Sequence, residues 1–376
     1  MLSPLQWEIV NESNSPHLQD HAGALVGDFL YIHGGLNSCR TSNRTPSNGL
    51  YKIQVSPKVG TWCDLTGADS PVLSQHTCLG VFGRYLVFIG GWNGQTRVPY
   101  IYTYDTESNR WLPPAVAEPL LKGFPSGAGL SAHTSTLMKL DQSRNSFSAL
   151  IVGREGSLRT QRKSGNIYLL YGILSPGVDT VARYTYVEAD SKLSASSRSY
   201  HTSTTLSPNV LVNIGGRRDR IVELLSWSRT KDCRESSWPV TLHYPPARCS
   251  AVTTLLQEVR QNHIATTKLS ATQSGWRGHA AIPGDAGVFI SSGEGFNALV
   301  RDPLDSAFVL NCRDGQTDGV LYNVGKLTHP RAYGVSCVHA TDGTAWLHGG
   351  IGLGGKTQNS LLRLQQLELT EESESK

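Results

Sequence analysis

The sequence predicts an all-β repeat protein, on three observations. An apolar stretch runs into a small-residue pair six times, at Gly34-Gly35, Gly90-Gly91, Gly153-Arg154, Gly215-Gly216, Gly293-Glu294 and Gly349-Gly350. The leading glycines lie 56, 63, 62, 78 and 56 residues apart, which marks a recurring unit. A histidine precedes five of the pairs (His21, His76, His133, His201 and His279), with Gly334 in the sixth place, at 13 to 15 residues in all but one unit. By length alone, 376 residues could hold two or three domains, but stacked units share one core, so a single domain over 1–369 is expected.

Each unit is expected to hold four strands in fixed order. The first starts at the histidine. The second is the apolar stretch before the glycine pair: 29–33, 85–89, 148–152, 210–214, 288–292 and 344–348. The third follows a loop, as at 50–53 and 101–105. The fourth is led by Trp62, Trp111 or Trp238, with Tyr184 and Tyr322 as counterparts. The last unit has strands near 335–339, 344–348 and 361–369, then an acidic tail at 370–376 that reads as disordered, without a Trp-led strand. Trp7 stands 14 residues before His21, as Trp62 does before His76. Residues 7–10 are therefore expected to complete the last unit, since an open array would leave edges. Residues 245–275 interrupt the repeat. Within them 250–262 reads as a short helix, with Ala251, Leu255, Leu256 and Val259 on one face packed on the body of the protein. The core is expected not to depend on this insertion.

These residues resemble the kelch repeat: a Gly-Gly doublet after an apolar strand, then Tyr104-Asp105, then Trp111. The resemblance covers nearly the whole chain. It implies a six-bladed kelch-type β-propeller closed by an N-terminal strand. Aromatics on outer strands would fill the wedge between neighbouring blades.

Composition narrows the function classes. The formal net charge is +4 with no dense Lys/Arg run, which argues against nucleic-acid binding. No run of 18 apolar residues offers a membrane span. Seven cysteines without Cys-x-x-Cys spacing, and an N-terminus unlike a signal peptide, fit reduced thiols in a cytoplasmic or nuclear protein. His17 and His21 have helical ligand spacing but no third ligand, so no metal is expected. Gly350, Gly352 and Gly355 match the dinucleotide fingerprint, but the chain ends too soon for a βαβ unit. No Gly-x-Ser-x-Gly elbow or Walker loop is present, and no cofactor or catalytic residue is expected. The repeat histidines are expected to be structural hydrogen-bonding groups.

Strands alternate direction, so the loops after second strands and before first strands share one face. That face carries the longer loops, 36–49, 112–132, 154–165 and 245–275, where binding residues tend to sit. Repeat position places Arg154, Arg198, Tyr200, Arg217, Arg218, Trp276, Arg277, Arg331 and Tyr333 there. Arg198, Arg277 and Arg331 are expected at equivalent, solvated positions. Arg and aromatic enrichment marks interface hot spots, and Arg clusters suit acidic peptides. The expected function is a monomeric, non-catalytic scaffold or adaptor that binds a protein or peptide with acidic character. The alternative is a propeller enzyme acting on a sugar or small molecule in the central channel. It would need carboxylates converging there from among Glu155, Asp219, Glu294, Asp302 and Asp305.

Overall fold

The glycine pairs are where neighbouring sheets lock together. In the computed structural model, Gly34 has φ +68°, and a Cβ there would lie 2.9 Å from the His76 ring of the next unit. The next residue, Gly35, donates its N–H to the Leu73 carbonyl of that unit at 2.8 Å. Gly91, Gly216, Gly293 and Gly350 make the equivalent bonds to Leu130, Trp276, Arg331 and Leu18. The pair is mostly glycine because the chain turns with φ > 0 against another backbone; in the fifth unit the pair proves to be Ser292-Gly293 rather than Gly293-Glu294, with Ser292 held at φ +58°.

The structure describes residues 4–37, 45–117, 129–153, 166–175, 181–192, 198–207, 210–216, 222–226, 247–261, 276–294, 302–313 and 316–367. Strand β1 is Leu5–Asn11. The first sheet holds β2 (Ala22–Val26), β3 (Phe29–His33), β4 (Leu50–Gln54) and β5 (Cys63–Asp64). The second holds β6 (Thr77–Val81), β7 (Tyr85–Ile89), β8 (Tyr100–Asp105), β9 (Arg110–Trp111) and β10 (Ala115–Val116). The third holds β11 (Thr134–Asp141), β12 (Ser146–Val152), β13 (Asn166–Ser175) and β14 (Val181–Lys192). The fourth, as far as described, holds β15 (Thr202–Ser207), β16 (Val210–Ile214) and β17 (Val222–Ser226). Helix α1 (Ser250–Gln261) leads to the fifth sheet of β18 (Ala280–Gly284), β19 (Gly287–Ser291), β20 (Ser306–Arg313) and β21 (Gln316–Lys326). The sixth holds β22 (Val335–Val338), β23 (Ala345–His348) and β24 (Leu361–Gln366), and β1 is its outer strand. All pairings are antiparallel, and Trp7 of β1 sits opposite Leu364 of β24. Trp238 and the tail at 370–376 lie outside the described residues.

The first strands β2, β6, β11, β15, β18 and β22 each pack on the next, and β22 packs on β2. The core lies between sheets. Val87, Ile89 and Leu79 of the second sheet, for example, bury against Phe147, Ile151 and Tyr184 of the third. The outer aromatics fill these gaps as expected. Trp7 is 1% exposed, and its Nε1 donates to Ser291 Oγ of the fifth sheet at 2.7 Å. Trp62 meets the His348 ring edge-to-face at 4.9 Å, and Trp111 meets His33 in the same way at 5.3 Å. At the Tyr104-Asp105 turn, the buried Asp105 takes a two-pronged bond from Arg84 at 2.8 and 2.6 Å and a third from Ser108 Oγ at 2.7 Å. Burial alone would raise the Asp105 pKa. The Arg84 fork, Ser108 and two turn amides outweigh it and hold the carboxyl well below its usual range.

The insertion differs from expectation. The helix and its apolar face are found, but α1 belongs to the core. Val252, Leu255, Leu256 and Val259 are buried with Leu5, Trp7, Ile282, Phe289, Leu347 and Leu362, between the fifth and sixth sheets. Gly284 and Gly287 admit it: a Cβ on either would come within 2.8 Å of Val252 or 2.6 Å of Leu256. Arg260 anchors one end on the Ala286 carbonyl at 2.7 Å, and the Cys249 N–H holds the other on the Pro283 carbonyl at 2.7 Å. A segment so bound cannot be replaced by a loop without removing part of the core.

Candidate functional site

The residue before each repeat histidine stands at the start of a first strand. In the sixth unit the matching residue is Tyr333, before Gly334. These residues form a cycle of backbone hydrogen bonds. Gln75 N–H bonds the Asp20 carbonyl, Ala132 bonds Gln75, Tyr200 bonds Ala132, Gly278 bonds Tyr200, Tyr333 bonds Gly278, and Asp20 bonds Tyr333. The N···O distances run from 2.7 to 3.0 Å, and the cycle returns to its starting residue. All six residues have φ between +52° and +64°. For the five that are not glycine this conformation costs about 1–3 kcal/mol each, so the bonds on both sides must hold it.

Directly below the cycle are the histidines. Each places Nε2 against the preceding unit: His133 on Thr77 Oγ1 at 3.1 Å, His201 on Thr134 at 3.1 Å and His279 on Thr202 at 2.8 Å. At two junctions the partner is another imidazole: His76 pairs with His33 at 3.0 Å and His21 with His348 at 3.1 Å. These are the structural roles expected of them. Burial drives all seven rings toward the neutral form. It lowers the pKa of His21, His33, His133 and His279 to about 3, and those of His76, His201 and His348 well below the ordinary value.

Cycle and inner strands line a cavity of about 320 Å³ that is open to solvent, with Thr77, Thr134, Ser203 and Ser336 along it and Asp20, Tyr200 and Tyr333 at the cycle. At the rim the Tyr200 and Tyr333 rings meet edge-to-face at 5.4 Å. The Tyr333 hydroxyl donates to the Glu294 carboxylate, which Arg277 Nε also meets at 3.1 Å. Burial is the main cause pushing the Tyr333 phenol well above its usual pKa. Leu353 is 62% exposed, on a turn after the sixth glycine pair whose Gly354 N–H donates to Asp302 at 2.6 Å. Among the described residues, no group of three His, Cys, Asp or Glu side chains could hold a metal ion. Among the described residues, no helix is long and apolar enough to cross a membrane.

The structure redistributes the sequence-derived site. Arg154, Arg217 and Arg218 lie outside the described residues, as do Glu155 and Asp219. Tyr200, Tyr333 and Arg277 come together at the rim. The expectation that Arg198, Arg277 and Arg331 are equivalent and solvated is corrected. Arg198 and Arg331 lie two residues before the cycle, in register with Leu18, Leu73 and Trp276, where the chain faces the neighbouring sheet. Arg198 is 1% exposed and donates to the Gly215 carbonyl at 2.6 Å. Arg331 is 7% exposed and donates to Ser360 Oγ at 2.9 Å. Trp276 is buried too, stacked near Phe308. Arg277 is one residue further on and stays partly exposed, at 21%, while its Nε reaches the buried Glu294 carboxylate. Sequence reading named Glu294 only as a candidate channel carboxylate, where the structure sets it on Tyr333 and Arg277, and it missed Asp20, Gln75 and Leu353. Adjacency to the repeat histidines would have found Asp20 and Gln75. Of the acidic residues considered for an enzyme, Asp305 pairs with Lys326 and Asp302 holds the Gly354 turn, so these two do not converge on the cavity.

Residues 75–115, from the cycle residue Gln75 to β10, match the family description Kelch motif. The chain carries a kelch repeat. It is 38% identical over 146 residues to Kelch domain-containing protein 9 of Mus musculus, covering 39% of this chain and 37% of the relative. It is 33% identical over 182 residues to the Homo sapiens protein of that name, covering 48% of this chain and 46% of the relative. The matched stretch is thus less than half the length of either relative. The solved structure titled "Structure of YjhT" superposes with a TM-score of 0.58 at 13% identity, covering 96% of this chain and 100% of that one. At that identity the likeness is one of fold alone, a propeller, and the kelch motif is matched over residues 75–115.

Proposed function

We propose that the chain is a non-catalytic scaffold whose long-loop face, centred on the rim of the cavity, binds a partner protein or peptide. We read its six sheets as the blades of one closed domain. The observation that carries the function is the rim itself. Tyr200, Tyr333 and Arg277 are residue types that anchor interfaces; the backbone cycle holds the two tyrosines, and Glu294 holds Arg277, which lowers the ordering cost of binding. Leu353 supplies an exposed apolar contact on the same face. Kelch domains are generally protein-interaction modules, which supports the reading. Acidic character in the partner now depends on Arg154, Arg217 and Arg218, since Arg198 and Arg331 are turned inward and Arg277 faces Glu294. Affinity purification with mass spectrometry tests the proposal, comparing wild type with Tyr200→Ala/Leu353→Ser. Partners lost from the variant at unchanged melting temperature support it. An identical partner set moves the binding surface elsewhere. Weaker capture with added salt would favour the acidic partner.

A further inference from the structure

The cavity below the rim has a chemistry of its own, separate from that of the protein-binding face. Its volume, about 320 Å³, falls in the range of small-molecule pockets. The described lining residues include no Lys or Arg, and their one carboxylate, Asp20, sits at the rim. The wall is rich in hydroxyls: Thr77 bonds Ser135 across one junction, and Thr134 bonds Ser203 across the next. Thr77 and Thr134 also meet His133 and His201, and Ser203 donates to Asn213, so what these hydroxyls have left is chiefly lone pairs that accept. Five imidazoles also line the cavity, those of His21, His76, His133, His201 and His279. Each is at least 94% buried, and each leaves Nδ1 without a protein partner. A net charge inside would lack a compensating ion, because these imidazoles are neutral.

We propose that the cavity is a binding site for a small neutral polyhydroxy molecule, of the sugar or polyol class, which enters past Tyr200 and Tyr333. Ligand hydroxyls would donate to the lone pairs left on the wall hydroxyls, and the tyrosine faces would cover the ligand's C–H surface. A sugar acid would bind more weakly, having a carboxylate to desolvate without a cation in the wall.

The test is saturation-transfer NMR on the full chain with D-glucose, myo-inositol and D-glucuronate as probes. The expected result is saturable transfer to the two neutral probes, each displacing the other, with glucuronate about tenfold weaker. Ser336→Leu places an isobutyl group in the cavity and should abolish the signal in a folded protein, and Ser135→Leu is the second such variant. No transfer to wild type at millimolar probe overturns the proposal, as does undiminished transfer to either folded variant. Glucuronate binding as well as glucose overturns the neutral class. Should both variants unfold, wild type decides: a signal that rises linearly with probe and resists competition leaves no site. Partner capture is measured separately, so this inference and the scaffold reading fail independently.

Discussion

Arg198 shows how one residue of register changes the role of a side chain. One position later it would point to the rim beside Arg277. Where it stands, its guanidinium is sealed between sheets and satisfies the Gly215 carbonyl. Arg198→Ala should therefore cost about 1–3 kcal/mol, because it strands a buried acceptor. Urea denaturation checks this, and a loss near zero would mean that the side chain is solvated after all. Ala132 makes a second prediction at this scale. It holds φ +52° in the backbone cycle. Relief of left-handed strain, about 1–2 kcal/mol, outweighs the added freedom of glycine in the unfolded chain, about 0.5–1 kcal/mol. Ala132→Gly should thus raise stability by about 0.5 kcal/mol, read from the same denaturation curves. A clear loss would show that the cycle does not hold this residue left-handed.

Among the elements, β1 and α1 carry the sharpest expectations, and both meet in one apolar cluster. Deleting residues 1–12 removes the strand paired with β24 and the indole bonded to Ser291. Loss of the buried Trp7 alone should cost about 3–5 kcal/mol. A truncated protein that melts like wild type would show that β1 is dispensable. For α1, Leu256→Ala should cost about 2–5 kcal/mol, because Leu256 is fully buried. Replacing 245–275 by a Gly/Ser linker should fail to give a cooperatively folding protein, observed by calorimetry. Normal folding of that variant would return the helix to the status of a peripheral insertion.

At the scale of the molecule, seven of the buried imidazoles among the described residues, those of His21, His33, His76, His133, His201, His279 and His348, set the response to acid. In the unfolded chain each takes a proton near pH 6.5, while in the fold four stay neutral down to about 3 and three are displaced in the same direction. Below pH 6.5 the unfolded state thus binds more protons, so stability falls as pH falls across that window. Each ring contributes somewhat more than about 1 kcal/mol per pH unit. Seven together match a typical total stability of about 5–15 kcal/mol within about two units. Melting temperature should be flat above neutral pH and collapse cooperatively between about pH 6 and 4.5, followed by circular dichroism. Retention of the fold at pH 4 would mean that the rings accept protons in place.

The sequence by itself determined the repeat, the second strands, the outer aromatics and the strand that joins the N-terminus to the last sheet. Each is written in local pattern: five apolar residues, a glycine pair, an indole at a constant offset. It also carried the structural role of the histidines, because recurrence once per unit fits a joint better than a single site. Only the tertiary structure decided what faces what. Arg198, Trp276, Arg277 and Arg331 look alike in a row of letters, yet the neighbouring sheet buries three and exposes part of one. The apolar face of α1 was legible, but not the Gly284 and Gly287 surface that receives it. The backbone cycle, the Glu294 contacts of Arg277 and Tyr333, and the cavity join residues tens to hundreds of positions apart. No local pattern encodes such contacts. They exist because first strand packs on first strand from sheet to sheet, β22 on β2 included, and that packing sets which side chains reach solvent.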